Sequence, residues 1–547
     1  MKNFKIRKSV FITMAIIYLG IIILGLAKPE AFAGALTAIV DFACLKFGWA
    51  YQLLTVVLVM FCFWVLFSKK VGSIKLGGKD AEPIMSKWAW FAISLCGGIA
   101  TGIVFWSVAE PITHITSGIP LFGDIAVNTS QAAKMALSTC YLHWGLGEYA
   151  YYCVAGIVIG VAVYNMKLPY RICSCLYPLF GDRIMGKLGT VIDILCVFGL
   201  AGGVSASLCE CALQIGAGVG ILSGITPGKF LWMVILVAVV ITFILSSYTG
   251  IARGVRFFSD MNTKIFMGLL AFVLFVGPTF YILNLATEAL GFHVNNFFEQ
   301  VLYTGAWNTE SGEQDMWPTW WTINYWSWMI AYAPLMGIFL AKVARGRTLR
   351  DFTIYNFLLP AGFGIVWFGI FGSAGIFFNN ETGGSIAESM NNLGSESAVF
   401  AFMDAMPIPE ILSTILSAIF LFTCYISVVT LCDSMTTTIS SLSIEAKNAA
   451  TVEPPARIKV FWGIVLSLVC FVNLATASEV GAVTGIDATK QLAISVAFPL
   501  LIVMILMVIS GFKMLTHYDK YDTIDNPDAS VVSMEARVDY DIDEVLD

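Results

Sequence analysis

Tyr325, Trp328, Tyr332, Met336 and Phe339 follow helical spacing and form one stripe along an apolar segment that also holds Trp317, Trp320, Trp321 and Trp326. An earlier apolar segment adds Trp144, Tyr149 and Tyr152. The chemistry such rings offer is capture of a positive charge without a carboxylate: a methylated ammonium over aromatic faces gains about 2 kcal/mol or more per desolvated contact. Depth separates the rings into two groups. Trp317, Trp320 and Trp321 suit a membrane–water interface, whereas Trp328 and Tyr332 lie roughly 10 to 16 Å deeper at ~1.5 Å per residue. A cation cage and ordinary aromatic packing both fit this spacing.

The elements that must position these rings are membrane spans. The 547 residues are 58% hydrophobic and 12% charged, with mean hydropathy +0.81, whereas about a quarter of a soluble protein's residues are charged. Apolar runs near the ~20 residues that cross hydrocarbon recur along the chain. They predict an all-α polytopic membrane protein with twelve transmembrane helices near 9–27, 49–67, 88–109, 136–164, 189–221, 230–248, 263–286, 319–341, 351–378, 410–443, 458–476 and 491–512. Threaded so, 26 of the 31 Lys and Arg fall on one face. The other face holds only Lys28, Lys46, Lys134, Lys229 and Lys490, and this bias puts both termini in the cytoplasm of a multi-pass plasma-membrane protein.

Helix interruptions at membrane depth are tolerated where backbone lines a cavity, so Cys96–Gly102 and Ala333–Gly337 read as broken spans, five apart, flanking a binding site. Close packing of small residues is the alternative for the first, since Gly98 and Gly102 spell GxxxG. An amphipathic pattern over Phe292, Val294, Phe297, Phe298, Val301 and Leu302 suggests an interfacial helix in the outer loop 287–318, or a plain packed connector. Beyond Leu515, ten acids against Lys520 and Arg537 predict a solvated, disordered tail. The run Lys342, Arg345, Arg347 and Arg350 suits lipid headgroups and carbonyls. No basic nucleic-acid patch is present, and the thirteen scattered cysteines read as buried thiols without metal or disulfide roles. With no HExxH, GxSxG or Walker motif and with dispersed histidines, an enzyme and a cofactor are excluded.

The segments GIATGIVFWSVAEP (98–111), HWGLGEYAYY (143–152), GTVIDILCVFG (189–199), WTINYWSWMIAYAP (321–334) and FLAKVARGRTLRDF (339–352) make the chain similar to the betaine/choline/carnitine transporter family from about Lys8 to Leu515. The resemblance implies a five-plus-five inverted-repeat, LeuT-like core. Two peripheral helices (1–87) would precede a first repeat at 88–286, the outer loop at 287–318, a second repeat at 319–514 and an acidic tail at 515–547. It further implies a homotrimer contacting through the helix near 292–303, and a small quaternary ammonium substrate. By position, the family's aromatic site falls on Trp144, Tyr149, Tyr152, Trp328 and Tyr332, and Trp321 matches an outer vestibular site. Trp328-Met329 replaces the family's usual tryptophan pair, which puts that outer site in question.

The same resemblance bears on the driving force. Positions where sodium-coupled relatives carry threonine are Leu200 and Val204, so one hard-cation site is missing, and Leu431 replaces a serine beside the retained Thr430, which weakens the second. The stretch RGVRFFSD (253–260) and Met336 resemble the sodium-independent carnitine/γ-butyrobetaine exchanger, which implies that Arg256 substitutes for a driving ion. A plain positive-face residue is the alternative for Arg256, and a sodium- or proton-coupled symporter is the alternative mechanism. Glu210, an acid inside a span, is a candidate proton or charge partner or a group reaching the outer headgroups. Glu110, before Pro111, reads as structural at a span end.

Overall fold

A computed structural model describes residues 5–98, 100–249, 254–306, 315–445, 453–480, 485–526, 528–529 and 531–538. Backbone polar groups have no water to bond in hydrocarbon, so apolar segments of this length satisfy themselves as helices. Eleven helices among the described residues are long and apolar enough to cross a membrane. The third span, described over Lys87–Gly98 and Ala100–Ser117 on either side of residue 99, completes twelve. The all-α polytopic fold expected from the sequence is thus observed, with two leading helices, Lys8–Ala27 and Pro29–Phe67, ahead of ten spans.

The interruptions described differ from those expected. In the third span Ile99 lies outside the described residues, and the expected break over Cys96–Gly102 falls on it. The fourth span is divided at Gly145 into Ser130–Trp144 and Leu146–Gly160, an interruption the hydropathy pattern did not reveal. The eighth corrects the reading: Pro334 sits inside the continuous helix Thr322–Val343, and the break is at Trp321, which separates it from the turn Trp317–Trp320. A proline removes one backbone donor without forcing a break when neighbouring helices hold both sides. The seventh span, Gly254–Val276, ends before Gly277-Pro278, ten residues earlier than position 286 in the predicted range.

The fourth and eighth spans touch backbone to backbone. A Cβ on Gly337 would lie 2.5 Å from the Cβ of Ala155 and 2.8 Å from the nitrogen of Gly156, so only glycine permits this crossing. The predicted interfacial helix is the second half of a longer one, Thr279–Leu302. Its buried Ile282, Leu285, Ala289 and His293 face the bundle, while Val294 and Phe298 are exposed.

The described N-terminal segment is pinned to the bundle. Lys5–Ile6 pairs antiparallel with Ile444–Glu445, and Arg7 makes a buried ion pair with Asp193 at 2.8 Å. The described residues of the tail between 518 and 538 depart from the predicted disorder. Thr523 bonds the Asn165 carbonyl through its amide (3.0 Å) and its hydroxyl (2.9 Å), and Tyr177 donates to the Val531 carbonyl at 2.9 Å. The acids are used locally: the Asp522 carboxylate accepts the amides of Ile524 and Asp525, both at 3.1 Å.

Candidate functional site

The interior of the bundle is organised by one acid. Glu110 lies mid-helix in Ala100–Ser117, fully buried, because the helix runs on past Pro111. Its Oε1 is 2.6 Å from His143 Nδ1 and 3.4 Å from His114 Nε2. Its Oε2 accepts the Trp144 indole N–H at 2.6 Å and the Tyr325 hydroxyl at 2.7 Å. His143 Nε2 lies 3.1 Å from the Thr322 hydroxyl, so the third, fourth and eighth spans are tied through a single carboxylate. Glu110, His114 and His143 also bring three metal-type donors within 4.8 Å of one another. Both Glu110 oxygens, however, already accept hydrogen bonds, the ordinary way to stabilise a buried carboxylate.

This hub sets the rings. Trp144 is held by its N–H and by stacking on Phe368, with centroids 5.3 Å apart. Trp144 and Trp328 converge over Gly102, where a Cβ would stand 2.7 Å from the first ring and 3.8 Å from the second. Trp328 and Tyr332 are adjacent at 6.4 Å between centroids, and Tyr332 shares a 2.8 Å hydrogen bond with Ser207 of the fifth span, Lys187–Ser223. Tyr149 and Tyr152 meet edge-on at 6.5 Å, and Tyr152 donates to the Met329 sulfur at 2.9 Å. Trp144, Tyr149, Tyr152, Trp328, Tyr332 and Met336 are all buried. Two polar tips among them, the Trp328 N–H and the Tyr149 hydroxyl, have no partner among the described residues.

Three further predicted positions divide. Trp321, half-buried, lies over His114 at 4.4 Å and forms a layer above the rings rather than part of them. Glu210 is fully buried and accepts the Trp106 indole N–H at 3.3 Å, which places it inside the bundle and not among headgroups. Arg256 is exposed one turn from Asp260 and is not brought to the rings. Leu200, Val204 and Leu431 are buried side chains without oxygen. Of the cationic run, Arg350 donates to the Leu66 and Ser68 carbonyls at 3.0 Å each, and Arg347 stacks on Trp90.

Sequence reading put one acid, Glu110, at a span end and passed over another, Glu148. Glu110 was concealed by the proline beside it, which mimics a helix end. Glu148, four residues before Tyr152, is fully buried with neither oxygen hydrogen-bonded among the described residues. Its signal was present: an acid inside an otherwise apolar run.

Residues 9–520 match the family model described as BCCT, betaine/carnitine/choline family transporter. The glycine betaine transporter OpuD of Bacillus subtilis is 32% identical over 526 residues, 95% of this chain and 97% of its own. A probable glycine betaine transporter of Desulfitobacterium hafniense is 31% identical over 511 residues, 93% of this chain and 98% of its own. The betaine/ectoine transporter LcoP of Corynebacterium glutamicum is 30% identical, over 94% of this chain and 78% of its own. The match runs over nearly the whole chain, and the chain belongs to the betaine/carnitine/choline transporter family.

Proposed function

We propose that this transporter carries quaternary ammonium compounds of the carnitine, γ-butyrobetaine, betaine and choline class across the plasma membrane by alternating access. Its ten-span core works as two five-helix halves, and substrate exchange drives the cycle in place of a sodium gradient. The observation that carries the reading is the buried convergence of Trp144, Trp328 and Tyr332, with Tyr149 and Tyr152 alongside. Such faces attract a trimethylammonium group through cation–π interaction. Relatives named as glycine betaine transporters support the substrate class.

Support for exchange is chemical. Leu200, Val204 and Leu431 offer no oxygen to a hard cation. The charge bias of the loops supports cytoplasmic termini. The exposed apolar residues Val294 and Phe298 on the helix Thr279–Leu302 support a homotrimer joined there, with lipid around its rim. Proteoliposomes test the mechanism: labelled substrate should enter only when unlabelled substrate is inside, with sodium absent from both sides. Uptake into substrate-free vesicles that requires an inward sodium or proton gradient refutes exchange in favour of symport.

A further inference from the structure

Glu148 stands in the first turn of Leu146–Gly160, directly after the interruption at Gly145. A buried carboxylate without hydrogen bonds or a counter-charge is among the costliest groups a protein can hold, so it persists where a partner arrives from outside. The structure offers such a partner no basic residue: no Lys, Arg or His ion-pairs with Glu148 among the described residues. Glu110, the other buried acid of this region, has both oxygens engaged. A cation arriving beside a buried carboxyl is what lets it ionise. Glu148 and Tyr152 are four residues apart on one helix face, Tyr149 follows Glu148 directly, and all three are buried.

From this placement we infer that Glu148 is the counter-charge for the ammonium head of the substrate and makes the site select net cations, such as choline, over zwitterions, such as glycine betaine. The inference rests on the proposed reading of the rings as the substrate site. Aromatic faces alone treat the two ligands alike, because both present the same trimethylammonium group. A carboxylate beside the rings does not. It attracts the head of either ligand but repels the second charge of the zwitterion, in surroundings where screening is weak.

The test is direct binding of choline and of glycine betaine to the purified full chain, by titration calorimetry, for wild type, Glu148→Gln, Glu148→Asp and Trp328→Ala. Wild type should bind choline at least about tenfold more tightly than glycine betaine. Glu148→Gln should weaken choline by about tenfold or more while leaving glycine betaine unchanged or tighter. Opposite responses to one substitution are not produced by a merely structural role. If Glu148→Gln does not fold, Glu148→Asp, which withdraws the charge by one methylene, should weaken choline more than glycine betaine. Equal changes for the two ligands, or a wild-type preference for glycine betaine, overturn the inference. With Trp328→Ala abolishing both ligands, such a result leaves the aromatic site standing; if wild type binds neither ligand, the proposed function falls together with the inference.

Discussion

Trp144 donates its indole N–H to Glu110 Oε2 at 2.6 Å, so an acid of the third span sets the plane of a ring in the fourth. Because Tyr325 of the eighth span donates to the same oxygen at 2.7 Å, the carboxylate fixes two aromatic elements relative to one another. Rigidity of this kind is what a cage needs, since cation–π attraction falls off once ring faces turn away.

Replacing Glu110 should therefore damage stability and transport together. Glu110→Ala strands the His143, Trp144 and Tyr325 donors in a dry interior, each at about 1–3 kcal/mol. We expect a loss of about 3–5 kcal/mol, allowing for partial relaxation, seen as a lowered melting temperature in detergent. Glu110→Gln, which keeps one acceptor oxygen, should lose less. Unchanged melting in Glu110→Ala would refute the hub.

The outer helix Thr279–Leu302, outside the candidate membrane spans, should loosen in acid. Burial pushes His293 down from 6.5 to about 4, against a hydrogen bond to Gln300 that raises it and a contribution from His143 that lowers it. Its ring faces Tyr141 and Phe297, and Gln300 in turn donates to Ser138 of the fourth span at 2.7 Å. A histidine whose folded value is depressed binds fewer protons than the unfolded chain does. Its contribution is thus intact above about 6.5 and is lost as pH falls toward 4, to a total of about 3 kcal/mol. Melting curves across that window should be steeper in pH for wild type than for His293→Gln; parallel curves would exclude the assignment.

How much of this was readable beforehand follows from what each pattern measures. Hydropathy reports apolar length, so the spans emerged from the sequence, and aromatic spacing on Tyr325, Trp328 and Tyr332 marked one stripe. Neither measure senses pairing. Glu110 and Glu148 look alike in sequence, yet one accepts three hydrogen bonds and the other none among the described residues. Gly145 hid an interruption because an isolated glycine is commonly tolerated inside a helix, while Pro334 suggested one that tertiary packing overrides. The tail misled for a related reason. Acidity argues for solvation, but Asp522 spends its carboxylate on its own turn, and Thr523 finds Asn165, more than 350 residues away.

That docking makes the tail a measurable strap. Asn165 donates to the Lys75 carbonyl at 2.9 Å and to the Tyr518 hydroxyl at 2.6 Å, and accepts the Gly77 amide at 3.2 Å, so one side chain joins a loop, a span end and the tail. Asn165→Ala should cost about 2–3 kcal/mol locally, at about 1 kcal/mol per bond lost. Hydrogen exchange over 518–526 should then rise selectively, with exchange in the spans unaltered. A tail already exchanging freely in wild type would show the strap to be absent in solution.

Gly102 gives the sharpest test of how the rings are held. A Cβ there would lie 2.7 Å from the Trp144 ring, well inside contact distance, and something must move. Trp144 has little freedom to do so, being fixed by Glu110 at its N–H and by Phe368 across its face. Gly102→Ala should therefore displace the ring and cost about 1–3 kcal/mol, as overpacking does, with substrate binding weakened in parallel. Trp144→Phe removes the atoms that collide. If the contact is the cause, the double variant should bind better than additivity allows, with a coupling of about 1 kcal/mol or more. Strict additivity in a binding cycle would mean that Gly102 acts through its own helix and not through the ring it faces.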